Sequence, residues 1–255
     1  MNLLEGIRND ALDFGQPVSL YRSTGREVDW IGSLQDTIFH CNAYLLRSGK
    51  QTYLIDPGGR EHFPQVRDRV SKLMKPSEVT HIIVHHQDPD LCASIPLWLE
   101  INPGITVLTH SRAAVLLPHY GFPSERVTPI DGGQFTLAEG ELHFIPAPFL
   151  HFPGAFATYD TTTGFLFSGD IFAALSSDWK LAVENLDEHL GLMELFHIDY
   201  MANNRAARGF LDNLGDRRVS AILPQHGSII RQADVGAAFS WLRELPCGLD
   251  IIYAD

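Results

Sequence analysis

Apolar positions along the chain fall in short runs, each stopped by Gly, Pro or a cluster of polar residues. Runs of that length between turn signals mark buried strands. Residues 18–21, 28–31, 38–46 and 51–55 are rich in β-branched and aromatic side chains and predict strands. The last of them is stopped by Asp56-Pro57-Gly58-Gly59. Helices are expected over 61–74, 93–101 and 112–117, with strands at 82–84 and 105–108 between them. Several strands follow between 127 and 168, including 142–145 and 165–167. Residues 192–214 read as mainly helical, 221–223 as a strand and 234–245 as a closing amphipathic helix. The order strands, helix, strand, polar turn runs twice, which predicts two βα halves packed into one domain.

The run Ile82-Ile83-Val84 empties into His85-His86-Gln87-Asp88-Pro89-Asp90. If the backbone stays extended past the strand, residues 86, 88 and 90 face the same way. Pro89 supports that geometry by fixing its own φ and keeping Asp88 out of the helical region. One imidazole and two carboxylates then converge at a strand end. Three later strands end alike: 142–145 leads to His151-Phe152-Pro153-Gly154, 165–167 to Ser168-Gly169-Asp170, and 221–223 to Pro224-Gln225-His226-Gly227. Three carboxylates and three imidazoles form a hard donor set suited to iron or manganese. His85 is expected to face away from His86, and Asp56 to brace a ligand-bearing loop. His40, His62, His119, His143, His189 and His197 have no partner in the sequence and read as structural.

The formal charge of −12, from 19 basic and 31 acidic residues, argues against nucleic acid and against an anionic membrane surface. No apolar stretch reaches the ~18 residues of a membrane helix, and the first residues lack a signal-peptide core. Cys41, Cys92 and Cys247 are odd in number and scattered, suggesting neither a disulfide framework nor a thiolate metal site. A reducing cytoplasm is the expected compartment.

Taken in order, H-x-D-x-D, H-F-P-G, F-S-G-D and P-Q-H-G resemble the metallo-β-lactamase fold over nearly the whole chain. Asn42-Ala43-Tyr44-Leu45 and Leu54-Ile55-Asp56-Pro57-Gly58 resemble its opening strands. Hydrolases of that fold carry H-x-H-x-D-H, whereas here Asp88 replaces the second histidine and Leu91 the last. The pattern is similar instead to the di-iron branch, the flavodiiron proteins and the stand-alone oxygen-binding di-iron proteins. Their H-x-E-x-D is shortened here by Asp88.

The resemblance implies an α/β fold, an αβ/βα sandwich of two mixed sheets with helices on the outer faces. It also implies two iron ions joined by an oxo or hydroxo bridge. His86, Asp88 and His151 would hold one iron, Asp90 and His226 the other, and Asp170 would bridge. Tyr200, in Asp199-Tyr200-Met201-Ala202-Asn203, resembles a stretch beside the iron pair and is expected behind the ligands with His85 and Asp56. Flavodiiron proteins carry a flavodoxin domain after the metal domain. No such domain, no FMN and no rubredoxin centre is expected here, which leaves a single domain over 1–255. The implied function is a non-haem di-iron protein that binds dioxygen and senses or slowly reduces it. An oxygen or nitric oxide reductase served by a separate electron donor, and a zinc or manganese hydrolase, are the other readings. Expected partners are dioxygen and an electron donor or signalling protein, with a homodimer as one assembly and neither nucleic acid nor membrane.

Overall fold

The four early strands form an antiparallel meander in the computed structural model, which describes residues 1–34 and 37–253. They are β1 (Val18–Arg22), β2 (Glu27–Trp30), β3 (Tyr44–Ser48) and β4 (Gln51–Ile55). Strands β5 (His81–Ile83), β6 (Thr106–Thr109) and β7 (Val127–Pro129) extend the sheet beyond β4, all in parallel. Parallel neighbours need crossovers, and helices supply them: α1 (Phe63–Leu73), then α2 (Pro89–Cys92) with α3 (Ile95–Ile101), then α4 (Ser111–Ala114).

The second sheet comprises β8 (Gly133–Thr136), β9 (Glu141–Pro146), β10 (Phe156–Asp160), β11 (Phe165–Gly169), β12 (Ala221–Pro224) and β13 (Ile230–Arg231). Its order is β13-β12-β11-β10-β9-β8, with only β11 and β12 parallel. Helices α5 (Leu186–Tyr200) and α6 (Asn204–Leu214) join those two strands, and α7 (Gln232–Glu244) and α8 (Leu249–Ile252) close the chain.

Alternation along the strands builds the layers. Tyr44 and Leu46 of β3 and Phe165 and Phe167 of β11 meet in the core between the sheets. Leu45 turns outward to Val66 and Val70 of α1 and to Trp98 of α3. Leu166 turns outward to Phe196, Phe210 and Leu242 of the other helices. The result is the expected αβ/βα sandwich.

Several boundaries differ from expectation. The strand expected over 38–46 starts only at Tyr44, because the preceding backbone is committed to the other sheet. Cys41 bridges His226, and Asn42 N–H donates to Gln225 O at 2.7 Å. The 192–214 helix is two helices. Asn203 caps the second by accepting from Ala206 N–H, and Asn185 caps the first in the same way from Glu188 N–H. The helix expected over 112–117 stops at Ala114, and a 3-10 turn follows at Leu117–Tyr120 around Pro118. The expected domain runs to Asp255, which lies outside the described residues.

A buried ion pair ties the sheets together. Arg26, just before β2, is fully buried, and its Nη2 lies 3.4 Å from Asp160 Oδ1 at the end of β10. The guanidinium also donates to Glu139 O and Thr162 Oγ1. Burial lowers the Arg26 pKa against the pull of Asp160, and raises that of Asp160 against the pull of Arg26. Asp160→Ala leaves the guanidinium buried and unpaired, and should cost about 3–5 kcal/mol in urea unfolding. An Arg26→Met/Asp160→Leu double variant should recover most of that loss. Equal stability of Asp160→Ala and wild type would show that the pair does not hold the sheets.

Candidate metal centre

The carboxyl ends of β5, β11 and β12 and the loop after β9 meet at one edge of the sandwich. They do so because the loop before β3 grips the turn after β12. Asn42 Nδ2 donates to Pro224 O at 3.0 Å and Gly227 O at 2.9 Å, and Tyr44 OH donates to Pro224 O at 2.8 Å. Trp30 Nε1–H in turn donates to Asn42 Oδ1 at 2.8 Å. Gln225 N–H donates to Gly169 O, fixing the turn that carries His226 beside the one that carries Asp170.

The chain does not stay extended through residue 90. Asp88 is extended, with φ −65° and ψ 150°, but α2 begins at Pro89, a residue well suited to the first helical position. Asp90 therefore enters the site from a helical turn. Leu91 and Cys92 point into the apolar core beside α1 and α3.

All six expected ligands nonetheless converge. Asp170 Oδ2 lies 2.8 Å from His151 Nε2 and 3.3 Å from His86 Nε2. Asp88 Oδ2 is 3.5 Å from His151 Nε2 and 3.6 Å from His86 Nε2. The other oxygen, Asp170 Oδ1, faces His226 Nε2 at 3.9 Å, and His226 Nε2 is 3.1 Å from Asp90 Oδ2. Two donor groups thus share one carboxylate. His226 Nδ1–H donates to His40 O at 3.1 Å, which leaves Nε2 free to bind a cation. Buried His86 Nε2 and Asp170 Oδ1 have no hydrogen-bond partner, as atoms waiting for a cation would. Beside them opens a cavity of about 410 Å³ walled by Phe39, His62, Phe196 and Tyr200.

Known proteins share this fold. The family described as ODP family beta lactamase matches residues 39–227. The chain belongs to that family. The peroxy diiron species of chemotaxis sensor ODP is 32% identical, with TM-score 0.84 over 93% of this chain and 98% of that one. The apo state of the same sensor from T. denticola aligns with the same TM-score, 0.84. Rubredoxin oxygen:oxidoreductase from Desulfovibrio gigas aligns at TM-score 0.78 and 16% identity, covering 89% of this chain and 61% of that one, a likeness of fold alone. Diflavin flavoprotein A 1 from Synechocystis is 31% identical over 81% of this chain, which spans 38% of that relative's length.

Electrostatics in this ODP-family site follow from burial. Burial works to raise the Asp170 carboxyl, but His86, His151 and His226 hold it well below the usual carboxylate range. Burial likewise opposes charge on His86 and His226, yet Asp170 and Asp88 raise the first, and Asp90 and Asp170 raise the second.

Behind the ligands, Asp56 accepts from His85 N–H at 3.1 Å and from His85 Nδ1–H at 2.5 Å, while His85 Nε2 accepts from Thr158 Oγ1–H at 2.9 Å. His85 faces away from the donor groups, across Gly169, where an added Cβ would lie 3.0 Å from the His85 Cβ. Tyr200 stacks on Phe196 with centroids 4.6 Å apart and meets His151 edge-on at 5.8 Å.

Three residues of this ODP-family site escape sequence reasoning. Cys41 is brought beside Asp90 and His226. His62, beside the cavity, accepts from Gly59 N–H through Nδ1, and its buried Nε2 makes no hydrogen bond and lies 3.4 Å from Glu61 Oε1. Its signal is the Asp56-Pro57-Gly58-Gly59 turn, a fourth strand end followed by a histidine. His197 accepts from Phe172 N–H at 3.0 Å through Nε2 and donates to Met193 O at 2.8 Å through Nδ1, anchoring the loop that leaves Asp170.

Burial pushes His197 down from 6.5 to about 4, so it folds neutral. Its contribution is complete above pH 6.5 and is lost as pH falls towards about 4, where the unfolded chain takes the proton first. In the metal-free protein, unfolding free energy should therefore fall more steeply in that window for wild type than for His197→Gln. The difference should reach about 1.4 kcal/mol per pH unit. Parallel curves in urea titrations across the window would contradict it.

Proposed function

We propose that the chain is a non-haem di-iron protein that binds dioxygen, built as a single metallo-β-lactamase-like domain over residues 1–255. The observation that carries this reading is Asp170, whose two oxygens face two separate donor groups. His86, Asp88 and His151 would hold one iron, Asp90 and His226 the second, with Asp170 shared. The donors are nitrogen and carboxylate oxygen, a set that suits iron. Bound there, iron would supply the one-electron steps and the oxygen affinity. The protein's part is to orient the imidazoles, neutralise the metal charge with three carboxylates and shield the pair from bulk water.

Several further observations support the reading. The sensor it resembles is matched along nearly its whole length, at 32% identity. Leu91, in the position where hydrolases of the fold place a histidine, is fully buried in the core and offers no donor. A sensing role, with a signalling protein as partner, fits the sensor likeness best. The reductase reading draws on Diflavin flavoprotein A 1 and on the anaerobic nitric oxide reductase flavorubredoxin of Aliivibrio fischeri, 27% identical over 58% of this chain. Among the described residues no helix is long and apolar enough to cross a membrane.

The purified protein should hold about two irons per chain, one for each donor group. His86→Ala or His226→Ala should each lose about one, and Asp170→Ala most of both. Elemental analysis with full occupancy in all three would overturn the assignment. Air added to the ferrous protein should change its visible spectrum, with oxygen uptake stopping once the ferrous iron is spent. Sustained uptake with a simple reductant would favour the reductase, and an unchanged spectrum would defeat both readings.

A further inference from the structure

We propose that Cys41 is a thiolate ligand at the second metal position, completing a site with Asp90, His226 and the shared Asp170. This inference deepens the di-iron reading and rests on its metal pair. Sequence reasoning sets the three cysteines aside as scattered, but the fold brings one of them to the metal centre. Cys41 Sγ lies 3.9 Å from Asp90 Oδ2, and the donor atoms of Cys41, Asp90 and His226 all lie within 4.8 Å of one another. A sulfur and an oxygen bound tetrahedrally to one metal at ordinary lengths lie about 3.6 Å apart. The observed spacing therefore needs only a small adjustment to close on an ion.

The backbone makes the juxtaposition reproducible. Cys41 pairs with His226 in an isolated antiparallel bridge, and Asn42 N–H donates to Gln225 O at 2.7 Å. The thiol stands one rotatable bond from that anchor, so its sulfur has little freedom to be elsewhere. The site is also short of donors. The first position has His86, Asp88 and His151 besides Asp170, whereas the second has only Asp90 and His226. Leu91 adds nothing, since it is buried in the core.

An independent observation points to a cation here. Asp170 is 4% exposed, and its Oδ1, on the His226 side, has no hydrogen-bond partner. A buried carboxylate oxygen without a donor is costly, and an ion between it, the imidazole and the sulfur removes that cost. On metal entry the S–H bond breaks, a metal–sulfur bond forms and the proton leaves to solvent, with no change in oxidation state. A metal ion deprotonates a coordinating thiol outright. By contrast, Cys92 donates to His86 O at 3.3 Å and so takes its place behind the ligands, and Cys247 lies in the helix-side core of the second sheet.

Titration of the full-length, metal-stripped protein with Co²⁺ tests the assignment, because thiolate-to-cobalt charge transfer absorbs strongly in the near ultraviolet. Wild type should bind two equivalents and develop that band. Cys41→Ser and Cys41→Ala should lose the band and bind the second equivalent at least about tenfold more weakly. Cys247→Ala should keep both the band and the affinity. Two bound cobalt ions without a thiolate band in wild type would overturn the cysteine ligand while leaving the metal pair intact. Failure of wild type to bind a second cobalt would overturn the metal pair itself. The decisive measurement is made on wild type, so a poorly folding variant cannot obscure it.

Discussion

Asp170 carries a charge at a place where water cannot solvate it. A carboxylate 4% exposed stays ionised only beside positive charge or strong donors. His86 and His151 stand at one of its oxygens and His226 at the other. Each of these imidazoles comes from a different strand end or loop, so satisfying one buried carboxylate requires four segments from both sheets to be in place at once. Removing one partner weakens that compensation at a carboxylate water cannot reach.

The ties around it are hydrogen bonds among the protein's own groups, and they need no cation to form. Asn42 uses its amide group to join the first sheet to the turn bearing His226, and Trp30 orients that amide. His197 holds the backbone of Phe172, two residues beyond Asp170. His85 fills the space behind His86 through Asp56 and Thr158. A frame fixed in this way presents donors in one arrangement, so binding an ion does not first have to order them. Its rigidity belongs to strands and their immediate ends, while the cavity wall is made of side chains from the loop before β3, from the turn before α1 and from α5.

How far this was legible in the sequence depends on whether the information was local. The strands could be read because apolar and aromatic runs end at Gly and Pro, and because alternation sends Leu45 and Leu166 to helices while Tyr44 and Phe165 face the other sheet. His86, Asp88, His151, Asp170 and His226 could be read as strand-end residues, and the fold brings them together. Asp90 was reached by a wrong local geometry: the strand does not continue, and a helical turn begun at Pro89 delivers the carboxylate instead. Cys41 and His197 were out of reach because their roles arise from contacts with segments distant in sequence, whereas His62 had a local signal in the turn at Asp56-Pro57-Gly58-Gly59. The part of the 38–46 stretch before Tyr44 misled for the same reason as Cys41 and His197, since Cys41 is used for a bridge to His226 rather than for a ladder with a neighbouring strand.

The depth of each donor and the nature of the wall bear on what the centre can receive. His86, His226 and Asp170 are at most 4% exposed, while the side chains of Asp88 and Asp90 are 32% and 35% exposed. The imidazoles and the shared carboxylate therefore form the floor, and the two motif carboxylates stand at the rim. Around them are Phe39, Phe196 and Tyr200, and among the described residues lining the cavity there is no Lys or Arg. An anionic ester or phosphoester entering this space would meet acidic groups at the rim without a basic side chain to pair with, in a chain of net charge −12. A small neutral molecule meets no such penalty, because aromatic walls accept it without desolvating a charge. The lining of the entrance therefore disfavours a charged substrate and admits a small neutral molecule, whatever the donor groups below it hold.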